Sequence, residues 1–456
     1  MRKVHLVGIA GAGMSAIAQV LHERGEAVSG SDLAGSVYSQ GLERAGVKIA
    51  YGHRAQNVAE ADVVVISSAV PASNPEVVEA RRRGIPVLRR EAFLGELTSG
   101  WRTIAVAGTH GKTTTTGLIA WLLDRAGRAP SFIVGGMLSD FGTNARSGSG
   151  AEFVIEADEY DRAFLGLHPS IAVVTSIEHD HPDMFATPAD YLEAFRAFID
   201  QAQETIIVCL DDPTAASLAR PSLERITYGV EAGADWRAEE IRPNQAGGSD
   251  FLVLRRGEVA GLARTRLPGI HNVRNSLGAM AAADRCGVAF STIQGAIADF
   301  HGTQRRFELL GESHGVTVID DYAHHPTEIK ATLSAARWRY PQADLWAVFQ
   351  PHTFSRARAF IDAFGGAFGE ANHVVVTEIF ASREAPDPSM TGEMVARHIE
   401  HPDVRFIPDL TEAARLLETA VRPGSVVVTL SAGDGNQVGK QLLEALEHRR
   451  EDKANG

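Results

Sequence analysis

At 456 residues the chain has room for about three domains of roughly 150 residues each. Its 44% hydrophobic and 22% charged content is that of an ordinary globular protein, and a formal charge of −13 argues against a nucleic-acid partner, which calls for a basic surface. Small anions are not excluded, because a helix N-terminus or a lysine can hold them against the overall sign.

The opening "MRKVHLVGIAGAGMSAIAQV" lacks the long uninterrupted apolar region of a signal peptide and reads as strand, glycine turn and helix. Gly11, Gly13 and Ala16 satisfy the relaxed G-x-G-x-x-[GA] form, and Asp32 closes the next predicted strand. That fingerprint serves a nicotinamide dinucleotide, hence an NAD-linked oxidoreductase, or any other diphosphate that can use the same backbone N–H groups. "DVVVISSA" follows as a buried strand.

A second strand–turn–helix runs through "TIAVAGTHGKTTTTGLIAWLLDRAG". The common phosphate loop is G-x-x-x-x-G-K-[ST]. Gly111, Lys112 and Thr113 fit its end, but Val106 stands where the opening glycine belongs. The pattern predicts a tighter loop at a helix N-terminus. Gly108 and Gly111 would let the backbone approach a phosphate, Lys112 would reach terminal phosphates, and Thr113 would hold Mg²⁺. The next strands, "EFVIEADEYD" and "SIAVVTSIEHDH", end in acids and histidines. In open parallel sheets ligands bind beyond the carboxyl ends of strands, so Glu156 and His181 are expected to meet the loop as metal ligands. Such a donor set would suit Mn²⁺ as well.

"TIIVCL" continues the strand series, and the shorter alternating runs between Trp236 and Gly269 predict a small antiparallel insertion. A third α/β block opens near Arg305 with "VTVIDDY", "LWAVFQPH", "HVVVTEI" and "SVVVTLSA", and the chain closes on a polar tail, "HRREDKANG". Continuous apolar strands separated by helices imply parallel sheets covered on both faces. Three α/β domains are expected, over residues 1–100, 101–303 and 304–456: a Rossmann-like first, a phosphate-loop second with a mostly parallel sheet, and a Rossmann-like third. No run approaches the roughly 18 apolar residues of a membrane span, and Cys209 and Cys286 lack CxxC neighbours. A reducing, cytoplasmic setting is expected, without disulfides or membrane insertion.

Taken together, "VHLVGIAGAGMSAIA", "SSAVPASNPEV", "AGTHGKTTTT", "GTNAR", "EADEYD", "GIHNVRNSLGAMAA", "RRFELLG", "VIDDYAHHPTEIKATL", "FQPHTFSR" and "SAGDG" resemble the Mur ligases of peptidoglycan synthesis along essentially the whole chain. The shortened GTxGKT loop is similar to that family's own version. The resemblance implies that Gly11, Ala12, Gly13, Met14 and Ser15 cradle the diphosphate of a UDP-sugar, with Asp32, His53, Ser68 and Asn144 nearby. It implies that Gly108, Thr109, His110, Gly111, Lys112, Thr113 and Thr114 hold ATP phosphates, that His271 and Asn275 contact adenine, and that Arg306 reaches the phosphates from the third domain. Thr113, Glu156 and His181 would bind Mg²⁺. Tyr322, His324, His352 and Arg356 would receive the incoming amine, and Lys112, Glu156, His181, His324 and Arg356 would carry the catalysis.

The implied reaction is ATP-driven amide formation on the lactyl carboxylate of UDP-N-acetylmuramate, by a monomer or homodimer. Many family members place a carbamylated lysine after the second acidic cluster, but no lysine lies between Lys112 and Lys330 here. "FQPHTFSR" and "TEIFASREAPDP" resemble the branch that adds L-alanine. "EADEYD" is similar to the branch that takes an intact L-Ala-γ-D-Glu-diamino-acid tripeptide, so the resemblance implies L-alanine as the amine, with the tripeptide as the alternative.

Overall fold

The computed structural model describes residues 1–455, with side chains through His448. The predicted polar tail therefore has a helical backbone, part of Asn436–Asn455, while its side chains from Arg449 onward lie outside the described residues.

Three sheets follow one another along the chain. The first holds β1 (Lys3–Val7), β2 (Ala27–Asp32), β3 (Lys48–Tyr51), β4 (Val63–Ile66) and β5 (Val87–Arg89), all parallel, in the order β3-β2-β1-β4-β5. The strand order reverses at β1, so the glycine turn after Val7 opens at the switch point where α/β sheets bind ligands.

The second sheet contains β6 (Arg102–Ala107), β7 (Ser131–Leu138), β8 (Thr143–Arg146), β9 (Glu152–Glu156), β10 (Ile171–Val174), β11 (Thr205–Cys209), β12 (Glu224–Gly229), β13 (Trp236–Pro243), β14 (Ser249–Arg255) and β15 (Glu258–Thr265). Its order is β15-β14-β13-β12-β11-β10-β6-β9-β7-β8. The segment 236–265 is antiparallel as expected, yet it is no separate unit, because β13 pairs in parallel with β12 and extends the same sheet. Apolar side chains alternate along β6: Ala105 and Ala107 join the core on one face, Ile104 and Val106 the core on the other. The first of these cores also contains Val4, Leu6 and Val65, so the first domain and one face of the second share a continuous interior.

The third sheet comprises β16 (Glu308–Ser313), β17 (Val316–Asp321), β18 (Asp344–Phe349), β19 (His373–Val376), β20 (Val404–Phe406) and β21 (Ser425–Leu430), in the order β16-β17-β21-β18-β19-β20. Only the edge pair β16–β17 is antiparallel. Among the described residues no helix is long and apolar enough to cross a membrane, and Cys209 and Cys286 are buried free thiols.

Candidate active site between three domains

The phosphate loop explains its own shortness. Val106 is fully buried inside β6, so the position of the usual first glycine is still strand here. The turn is made instead by Gly108 and Gly111, at φ 139° and 79°. A Cβ on Gly108 would collide with the Thr175 hydroxyl, and one on Gly111 with the Asn275 carboxamide. Both positions demand glycine for shape and for space. The end of β10 pins the loop: Thr109 N donates to the Ser176 carbonyl at 2.8 Å, the Thr109 hydroxyl to the Glu178 carbonyl at 2.8 Å, and the Thr175 hydroxyl to the His110 carbonyl at 2.5 Å. The helix Lys112–Arg125 then starts with its N-terminus facing the strand ends.

Because β6 lies between β9 and β10, the two acid-ended strands flank the loop. Lys112 Nζ lies 2.8 Å from Glu159 and also donates to the carbonyls of Gly108, at 2.5 Å, and Thr109, at 3.2 Å. Burial disfavours the charge, but Glu159 and Glu156 outweigh it and raise the ammonium above its ordinary range. Glu156 accepts from the Thr113 hydroxyl at 3.0 Å and from Gly135 N at 2.6 Å. Burial raises its carboxyl, and Lys112 only partly offsets that. His181 is 3.4 Å from Glu159, with its backbone at φ 54°. Of the residues expected to bind metal, Thr113 and Glu156 are joined directly, while His181 reaches them through Glu159 and Lys112.

His110 behaves differently from the rest of the loop. Its Nε2 lies 2.9 Å from Glu178 and its Nδ1 3.2 Å from Glu328, which is on the third domain. His110, Glu178 and His325 offer ligand atoms within 4.8 Å of one another. Burial works against the imidazolium, but the hydrogen bonds to Glu178 and Glu328 win and raise it to about 9. A ring that donates from both nitrogens has no lone pair for a metal, so the cluster reads as an ionic latch between domains. A pKa raised by folding contributes stability fully below the unfolded value, near 6.5, which is lost as pH climbs through about 9. Thermal unfolding should therefore show a loss of up to about 3 kcal/mol between pH 7 and 10 that is absent in His110→Gln.

Above the loop, a cavity of about 290 Å³ is lined by Gly111, Thr113, Thr114, His271, Asn275 and Arg306, among others. Burial, with Arg274 and Arg306 close by, pushes His271 down to about 4, so its ring is neutral. Asn275 is buried and packs against Gly111, so it is part of the loop's wall and not a helix-surface residue. At the first sheet, a cleft of about 700 Å³ is lined by Gly8, Gly11, Asp32, His53 and Ser67, with Ser68 exposed next to it. Asp32 accepts from Ala10 N at 2.8 Å and so braces the glycine turn itself. Met14 and Ser15 are buried in the helix Ala12–Glu23. Asn144 donates to the Ala12 carbonyl at 3.2 Å, and Arg90 to Asp158 at 2.6 Å, tying the first domain to the second.

On the third domain, the rings of Tyr322, His324 and His352 follow one another at 5.6 Å spacings. Burial and neighbouring cations hold His324 near 4 and His352 near 3, so both imidazoles are neutral. Arg356 lies 3.2 Å from His352 and 3.4 Å from His181, and grips Asp180 of the second domain at 3.0 and 3.2 Å.

Three family models match consecutive parts of the chain: the Mur ligase family catalytic domain over residues 3–102, the Mur ligase middle domain over 106–283, and the Mur ligase glutamate ligase domain over 305–433. The chain belongs to the Mur ligase family. It is 44% identical to a UDP-N-acetylmuramate–L-alanine ligase of Roseiflexus castenholzii, covering 97% of each chain. Among solved structures, a UDP-N-acetylmuramate–alanine ligase of Thermotoga maritima superposes with a TM-score of 0.84 at 27% identity, covering 98% of this chain and 100% of that one. A murein peptide ligase of Psychrobacter arcticus gives a TM-score of 0.72 at 28% identity, covering 98% and 99%.

The Mur ligase motifs did not announce every group in this site. Glu159, Asp180, Glu178 and Glu328 escaped the sequence reading as partners, although the first three stand in the two acidic clusters and Glu328 in "HHPTEI". Tyr38 of the first domain also escaped it. Burial raises its hydroxyl, and Tyr322, Arg305 and Glu156 add smaller electrostatic effects.

Proposed function

We propose that this Mur ligase joins L-alanine to the lactyl carboxylate of UDP-N-acetylmuramate at the expense of ATP. The observation that carries the reading is the continuous line from Lys112 through Glu159 and His181 to Arg356, which sets a phosphate loop beside a pocket of neutral histidines. The curated relatives with that activity support the choice of amine.

In the first step the substrate carboxylate attacks the γ-phosphorus of ATP, the bond to the ADP oxygen breaks, and an acyl phosphate forms. Lys112 and the helix N-terminus would stabilise the charge spread over the transferring oxygens. Glu156 is a half-buried acid hydrogen-bonded to a hydroxyl and a backbone N–H, an arrangement that fits a divalent cation. Mg²⁺ held by Thr113 and Glu156 would neutralise phosphate charge, and His181, which Asp180 and Glu159 keep in its charged form against the effect of burial, would join as a ligand only on giving up its proton; Mn²⁺ suits the same donors. In the second step the free amine attacks the acyl carbon, phosphate leaves, and the nitrogen gives up a proton. His324 and His352, neutral and half-buried, can accept a hydrogen bond from that amine, while Arg356 would orient its carboxylate. The first-domain cleft would hold the UDP portion.

Incubation with ATP, Mg²⁺, UDP-N-acetylmuramate and L-alanine should release ADP and phosphate with one new amide, detected by mass. Glycine and L-serine should react more slowly. Absence of the amide with full ATP hydrolysis would overturn the reading.

A further inference from the structure

Behind the first-domain cleft stands a buried acid that belongs to neither the phosphate loop nor the amine pocket. Glu76, in the first turn of the helix Pro75–Arg82, is 0% exposed. Its Oε2 accepts from the Ser31 hydroxyl at 2.6 Å and lies 3.5 Å from His5 Nε2. Its Oε1 accepts from Arg54 N at 3.2 Å and from the Asn57 carboxamide. Burial opposes the charge, but His5, Ser31 and Asn57 outweigh it and hold the carboxyl down at about 2. Glu76 is therefore an ionised carboxylate in the interior, and among the described residues no lysine or arginine side chain pairs with it. Such a group is costly to keep. The helix start does not require it, because Asn74 already caps the helix by accepting from Glu76 N at 2.9 Å.

What the carboxylate does is set a hydrogen-bond direction. Ser31 has one hydroxyl hydrogen, and it goes to Glu76. The Ser31 oxygen, 3.1 Å from His53 Nδ1, can then only accept from that ring. Nδ1 must carry a hydrogen, and Glu76 Oε1, 3.7 Å from the same nitrogen, favours it there. The His53 ring lines the cleft, and among the described residues no hydrogen bond engages its Nε2. In the neutral ring Nε2 carries the lone pair, so His53 offers the cleft an acceptor.

The same serine also holds the glycine turn, its carbonyl accepting from Gly8 N at 2.8 Å and Ile9 N at 3.1 Å. His53 follows β3, two strands across the sheet from β1, about 10 Å at ordinary strand spacing. That is the reach from a diphosphate on the glycine turn to its nucleoside. We propose that Glu76 is a positioning residue for the UDP substrate, acting through Ser31 to hold His53 as the Nδ1–H tautomer whose Nε2 accepts a hydrogen bond from the nucleoside. The proposal rests on the reading above that this cleft takes the UDP portion. The donor is the uracil imide N–H or a ribose hydroxyl.

The test measures Kd for UDP by calorimetry and KM for UDP-N-acetylmuramate in the full-length enzyme, in Ser31→Ala, Glu76→Gln, His53→Ala and the double variant Ser31→Ala with His53→Ala. Ser31→Ala and Glu76→Gln should each weaken binding about three- to tenfold, the effect of one hydrogen bond, while KM for L-alanine and for ATP holds. In the double variant Ser31→Ala should add nothing to the loss caused by His53→Ala, because its route to the ligand has gone. A network that merely supports the fold would weaken binding equally in both backgrounds, and that result would overturn the proposal. Nitrogen-15 NMR of the histidine-labelled parent gives a reading that does not depend on how well Glu76→Gln folds. The neutral His53 ring, assigned by its loss in His53→Ala, should carry its hydrogen on Nδ1; a hydrogen on Nε2 would overturn the relay. N3-methyl-UDP and 2′,3′-dideoxy-UDP then locate the donor: the analogue that binds the parent less well than UDP should lose nothing in His53→Ala. Equal losses in both proteins would also count against the proposal. A parent that passes these tests yet forms no amide with L-alanine would remove the proposed function alone, a distinguishable result.

Discussion

Lys112→Ala is expected to lower turnover roughly a thousandfold or more, because the lysine acts on charge that develops as the phosphoryl group transfers. Binding of the UDP substrate, followed by calorimetry, should change little, since that cleft belongs to the first sheet and Lys112 to the second. The substitution also has a structural consequence. Glu159 is 1% exposed and has Lys112 as its ion-pair partner. Removing the cation leaves a buried carboxylate behind, a change that costs about 3–5 kcal/mol in typical buried pairs. Loss of activity alone would therefore be ambiguous. Lys112→Ala combined with Glu159→Gln separates the two effects: the second change should recover much of the melting temperature and none of the turnover. Such a cycle isolates the pair's coupling from the catalytic term. Turnover that persists in the single variant, or returns in the double one, would remove the phosphate assignment.

The parts of this molecule legible in its sequence are those with local physical causes. β6, β9 and β10 are unbroken apolar runs with both faces buried, and each announces itself. β5 ("VLR") and β20 ("VRF") do not, because they are short and owe their strand form to neighbours in the sheet. The antiparallel insertion was readable as a pattern, but its attachment was not: two parallel pairs, Tyr228 with Trp236 and Gly229 with Arg237, fuse it to the central sheet. The site divides in the same way. Lys112 and Thr113 follow from the loop and helix start. That His110 would grip Glu328, 218 residues away on another domain, depends on how the domains meet. Asp32 shows the reverse case, in which a fingerprint acid stands at the expected place and is engaged with the backbone of its own glycine turn.

The second large effect should come from Arg356, through the way it joins the domains. Arg356 and Asp180 are each 7% exposed, 176 residues apart in sequence, and bonded twice, at 3.0 and 3.2 Å. Although burial opposes it, the cations of His181 and Arg356 hold the Asp180 carboxyl well below its usual range. Asp180 is thus ionised in a buried setting, and Arg356→Ala should cost about 3–5 kcal/mol of stability by stranding it. Activity should fall further than stability explains, because the same guanidinium touches His181 on the phosphate side and His352 on the amine side. Both KM for L-alanine and kcat should worsen, a pattern expected of a group that positions one substrate against another. Arg356→Lys should rescue little, since a lysine cannot make the paired bonds that the planar guanidinium makes to a carboxylate. Asp180→Asn keeps the shape and removes the charge, so it should loosen the junction while leaving the alanine-side contact in place. Small-angle scattering then decides how the effect arises: a larger radius of gyration in both variants would mean that the pair holds the two domains together. If Arg356→Ala keeps both the parent melting temperature and the parent kcat/KM for L-alanine, the junction carries neither load, and the link from phosphate loop to amine pocket has to run through other residues.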